Sequence, residues 1–121
     1  MNQASVTIPI TPARKGETLP RVWYIESKTS KTAPALPVSL TSVIAVRMHY
    51  RRDGENRWKT ISTISSAALA VTNAAQGEIT FTPPVDFWQV GIYIIYFSVD
   101  TGTDFNVPNT DNYSIEVVDG V

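Results

Sequence analysis

Cysteine is absent from the 121 residues, which excludes a disulfide framework and any zinc site built on thiolates. Charge of one sign is scarce too: ten Lys and Arg against eleven Asp and Glu leave a net charge of −1. That balance argues against nucleic acid as a partner, because such binding rests on neutralising many phosphates. Long hydrophobic runs are missing. The longest mostly apolar stretch, Gly91 to Val99, is too short to cross a bilayer as a helix, and no membrane association is expected. Met1-Asn2-Gln3-Ala4-Ser5 has neither the basic segment nor the apolar run of a secretory signal, so a soluble product made in the cytoplasm is expected. No repeat or low-complexity tract is present. What remains is a length that predicts one domain over residues 1–121. At this size folding hides about two-thirds of the unfolded surface, enough for a core without staples.

Period-two patterns separated by turn residues fill that length. Val6, Ile8 and Ile10 alternate with Ser5, Thr7 and Pro9 as a first edge strand. Val22 to Ile25 is a second strand, in which Trp23 and Tyr24 compete for the buried side. A Ser-, Thr- and Pro-containing loop is expected from Ser27 to Pro37. Ile44, Val46, Met48 and Tyr50 then face one way, and Ala45, Arg47, His49 and Arg51 the other. Asp53-Gly54 predicts a hairpin turn. Arg57 to Ile64 pairs back across it, with a bulge expected near Thr60, where the alternation breaks. Ala68 to Val71 is a short strand, Gln76-Gly77 a turn, and Ile79 and Phe81 point inward. Tyr113, Ile115 and Val117 close the domain. Seven or eight such strands, with at most one helical turn near Pro84 to Trp88, predict an all-β fold, an immunoglobulin-like antiparallel β-sandwich.

The segment Asp86-Phe87-Trp88-Gln89-Val90-Gly91-Ile92-Tyr93 narrows this further. An acidic residue followed by Gly-x-Tyr at the head of a long β-branched strand is how immunoglobulin-like sandwiches enter strand F, with the Tyr hydroxyl returning to nearby backbone. Asp86, Gly91 and Tyr93 are therefore the expected structural corner. Asp86 is expected to cap the turn, and Tyr93, Ile95, Phe97 and Val99 to face inward.

No catalytic signature stands out, and no cofactor is implied. His49 is the only histidine, and its register with Arg47 and Arg51 puts it on a solvated strand face rather than in a Ser-His-Asp triad. Asp100, Asp104 and Asn106 offer fewer oxygens than the about six to eight that calcium takes, even with Asp111 and Asn112 nearby, and suit a plain turn. The interesting surface is the outward side of the middle strands. Arg47, His49 and Arg51 lie there, with Arg57 and Lys59 across the hairpin. Ile92, Ile94 and Tyr96 stand on the adjoining strand where polar residues belong. Apolar and aromatic residues rimmed by arginines are the composition of protein interfaces, so Arg47, His49, Arg51, Ile92, Ile94 and Tyr96 form the expected contact face.

Lys15-Gly16-Glu17-Thr18, Leu36-Pro37-Val38-Ser39-Leu40-Thr41, Gly77-Glu78-Ile79 and Gly91-Ile92-Tyr93-Ile94-Ile95-Tyr96-Phe97 follow one another in that order. This succession, from about Lys15 to Val117, resembles the N-terminal immunoglobulin-like domain of tailed-phage baseplate upper proteins and related tail-fibre proteins. Ser39 stands where that pattern more often has Asp. The resemblance implies a non-enzymatic virion structural protein, with other virion proteins or further copies of itself as partners. Such domains usually head a longer chain with a helical stalk, whereas this sequence stops at Val121. That leaves open an excised domain or a short protein decorating a head or tail. The alternative is a carbohydrate-binding module that stacks glycan rings on Trp23, Trp58 or Trp88.

Overall fold

The computed structural model describes residues 3–7, 12–28, 32, 34–41, 43–100 and 112–119. Ten strands carry the described chain: β1 (Gln3–Thr7), β2 (Ala13–Arg14), β3 (Arg21–Lys28), β4 (Leu36–Pro37), β5 (Ala45–Arg52), β6 (Lys59–Ser62), β7 (Leu69–Asn73), β8 (Glu78–Phe81), β9 (Gly91–Asp100) and β10 (Tyr113–Val118). Two of them, β2 and β4, are only two residues long. One sheet runs β1-β3-β8-β7, with β4 also paired to β3, and the other runs β2-β10-β9-β5-β6. Lettered in chain order, the sheets read A-B-E-D and A′-G-F-C-C′, the strand order of an immunoglobulin sandwich. One pairing departs from the antiparallel expectation, since β2 lies parallel to β10. These strands come from opposite ends of the chain, so no crossover connection has to join them.

Alternation decides which side chains meet between the sheets. Trp23 and Ile25 on β3 and Ile79 and Phe81 on β8 are fully buried, as are Val46 and Met48 on β5 and Ile95 and Phe97 on β9. The Trp23 ring stacks on Phe81 at 5.5 Å and meets Phe97 edge-on at 5.2 Å. This settles the competition on β3: Trp23 is inside, and Tyr24 is exposed. Arg21 shares the inward side, where Glu17 accepts its guanidinium hydrogen bond at 2.9 Å.

Several sequence expectations shift by a residue or more. Ile44 is exposed and Ala45 buried, so the core face of β5 begins at Val46. Pairing between β5 and β6 runs in unbroken register from Arg47↔Ser62 to Tyr50↔Lys59. The irregularity expected at Thr60 lies instead between Val71 and Asn73 on β7. The helical turn is a 3-10 turn at Ala74–Gln76, while at Pro84 a tight turn closes with Phe87 N–H donating to Pro84 O at 3.0 Å. Part of the expected 27–37 loop is strand, because β3 reaches Lys28 and β4 pairs back onto Glu26 and Ser27. Of the first strand, residues 8–10 lie outside the described residues, as do Asp104, Asn106 and Asp111.

Candidate functional site

Three antiparallel strands, β10, β9 and β5, with β6 beyond, build one outward face. Because side chains alternate, each residue pointing out on β9 has outward neighbours directly beside it. Ile92 stands between Glu116 of β10 and the end of β5; Ile94 stands between Ser114 of β10 and Arg51 of β5. Tyr96 lies opposite His49, and Ser98 opposite Arg47. The next positions along are Thr60 beside His49 and Ser62 beside Arg47. The six residues Arg47, His49, Arg51, Ile92, Ile94 and Tyr96 thus share one contiguous surface. Ile92 is 45% exposed on it.

Contacts tie this surface together. The imidazole of His49 stacks on Tyr96 with ring centres 4.5 Å apart and planes 17° from parallel. Its Nδ1 lies 3.0 Å from Thr60 Oγ1 and its Nε2 2.8 Å from Ser98 Oγ. His49 is therefore half-buried and held on both nitrogens, not freely solvated as the alternation suggested. Burial first, and the Arg47 charge second, push its pKa below the ordinary histidine value. Arg47 donates to Asp100 Oδ2 at 2.9 Å. Arg51 sits over the Trp58 ring at 5.1 Å and donates to Glu55 O at 3.2 Å, and Trp58 meets Tyr96 edge-on at 4.9 Å. Trp58, 40% exposed, also belongs to this face, although it precedes β6 and stands outside the alternation of the strands.

Lys59 does not belong there. It lies directly across from Tyr50, an inward position, so it shares the core side of its strand at the open end of the sandwich. A one-residue offset at the hairpin reverses every side chain of a strand. Trp58 is the signal that could have revealed this, because an aromatic in β6's lead-in belongs against Tyr96 rather than in a row of cations.

A serine hydroxyl within 2.8 Å of an imidazole is half of a nucleophile–base arrangement. The other half is missing, because the second ring nitrogen meets the Thr60 hydroxyl instead of a carboxylate. An imidazolium formed there gains no compensating charge and faces Arg47. Among the described residues, no three His, Asp or Glu side chains converge to hold a metal ion.

The corner is built around one oxygen. Tyr93 Oη donates to Phe87 O at 2.9 Å and accepts from Gln89 N–H at 2.9 Å. Gly91 has φ +142°, and a Cβ there would come 3.1 Å from Arg52 Cδ, so a side chain at 91 meets both backbone strain and the Arg52 stem. Asp86 contributes differently from expectation. Its main-chain carbonyl accepts from Gln89 Nε2 at 2.9 Å, while its side chain is exposed. Beside the corner, Arg52, Glu55, Lys59 and Asp86 line a cleft of about 290 Å³ over Tyr50 and Phe87.

Of the three tryptophans, Trp23 and Trp88 are fully buried. Neither is available as a stacking platform. The chain matches no family model and no curated protein.

Proposed function

We propose that the protein is a non-enzymatic virion structural protein of a tailed phage that works through protein–protein contacts on the outward face of β5, β9 and β10. One observation carries this. Ile92, Ile94 and Tyr96 stand on the central strand β9 of a sheet face that water alone would keep polar, and Trp58 reaches Tyr96 edge-on from the far side of β5. Arginines flank them, and large apolar and aromatic anchors inside a polar rim are the anatomy of a binding surface. The placement in a virion rests on the sequence resemblance to baseplate and tail-fibre domains. It agrees with an immunoglobulin-like order of strands, but that order by itself serves many roles.

A glycan-binding role has less support. Sugar stacking falls to Trp58 alone, and one side of that ring already carries the Arg51 guanidinium.

The test is incorporation into particles. Ile94→Lys and Tyr96→Ala are expected to fold as the parent does and to be lost from purified virions, read by mass spectrometry of the particles. Incorporation of both variants at the parental level sinks the proposal.

A further inference from the structure

The charges on this face are arranged as a self-complementary pair. Arg51 lies directly beside Ile94 on the β5 side of β9, and Glu116 directly beside Ile92 on the β10 side. The two charges are thus diagonal across the Ile92–Ile94 step. Among the described residues, Arg51 has no carboxylate partner and Glu116 no cationic one, whereas the neighbouring Arg47 is satisfied by Asp100. Glu116 is exposed, and Arg51 is half-buried against the Trp58 ring.

We propose that the face pairs with a second copy of this chain, about a two-fold axis that lies in the face and crosses β9 between Ile92 and Ile94. Such an axis, set perpendicular to the line from Arg51 to Glu116, exchanges the two positions. Arg51 of each copy then meets Glu116 of the other, giving two equivalent ion pairs. Ile92 and Ile94 of both copies cluster around the axis, where contacts lose the most water. A two-fold contact uses one patch twice and so demands this kind of self-complementarity. Trp58, set outside Arg51, closes over the outer side of each pair and shields it from solvent and salt.

The inference rests on reading this face as the contact surface, and it names the occupant. A heterologous partner has to supply both a carboxylate opposite Arg51 and a cation opposite Glu116, whereas a second copy brings both with no further requirement. Opposed charges at such a contact set orientation and exclude wrong partners.

Size-exclusion light scattering over a range of concentrations tests it with the parent chain and three variants, Arg51→Glu, Glu116→Arg and the double exchange. The parent mass is expected to rise towards twice 13.3 kDa as concentration increases. Each single variant replaces two attractions by two repulsions and is expected to weaken self-association about tenfold or more. The double exchange restores the pairs in reversed sense and is expected to recover dimerisation. Thermal melts of all four confirm folding, and Ile94→Lys, which abolishes the apolar centre, gives the monomer reference. A parent that stays monomeric at every concentration overturns the inference. So does a parent dimer that both single variants leave intact, or that the double exchange fails to recover. Loss of Ile94→Lys from virions alongside a strictly monomeric parent rejects the second copy and leaves the protein-contact role standing.

Discussion

The hydroxyl of Tyr93 joins two segments with one atom, donating to Phe87 O and accepting from Gln89 N–H. Removing it leaves a part-buried carbonyl and a part-buried N–H without their partner, which costs more than the bond itself contributes. Tyr93→Phe is expected to lower stability by about 1–3 kcal/mol with the strand order unchanged, measured as a shift in urea midpoint at constant slope. An unchanged midpoint refutes that role. This corner was legible in the sequence because its partners lie within six residues of Tyr93, inside a motif short enough to read directly. The role of Asp86 was not, since its contribution is a main-chain carbonyl that any residue possesses. At His49 the alternation placed the side chain correctly on the outward face. It could not show that Thr60 and Ser98, 11 and 49 residues away, would hold both ring nitrogens.

Strands read well wherever inward and outward residue types differ. On β9, every second residue from Tyr93 to Val99 is buried, and the pattern is visible by eye. On β6 it is not, because Thr60 and Ser62 face outward from a strand whose inward side carries Lys59, so residue type and side do not correspond. Turns between strands pose a different constraint. Gly77 ends the 3-10 turn with φ +68°, accepts the Ile25 N–H on its carbonyl at 2.9 Å, and leaves no room for a Cβ against the main-chain oxygens of Ile25 and Val38. Both the backbone region and the space exclude a side chain here. Gly77→Ala is therefore expected to cost about 2 kcal/mol or more. Gly54→Ala, at a hairpin turn with open space around it, is expected to cost less. Paired denaturation curves decide this, and equal losses at the two sites contradict the steric account.

For the whole molecule, stability should depend on pH through His49. Its folded pKa lies below the ordinary 6.5, so the unfolded chain takes up a proton first as pH falls. The contribution is present above about pH 6.5 and is lost on acidification through the interval below it. Arg47 and Arg51 on β5, and Asp100 on β9, are the charged groups nearest this site on the same face. The expected outcome is that the parent loses more stability than His49→Gln between neutral pH and about pH 5, with carboxylate titration common to both chains. Identical pH profiles reject it. Such acidification also places charge beside Arg47 on the contact face, so the global titration and the surface chemistry are linked through one ring. The all-β class, the inward residues of β9 and of β5 from Val46 onward, and the return of the Tyr93 hydroxyl at the corner were legible in the sequence, because these follow from period-two burial and contacts local in the chain. The strand order, the buried side of β3, the parallel β2–β10 edge and the union of Trp58, Arg51, Ile94 and Glu116 on one face came from the fold itself. Those depend on register between strands far apart in the chain, and a shift of one residue there reverses which side chains meet.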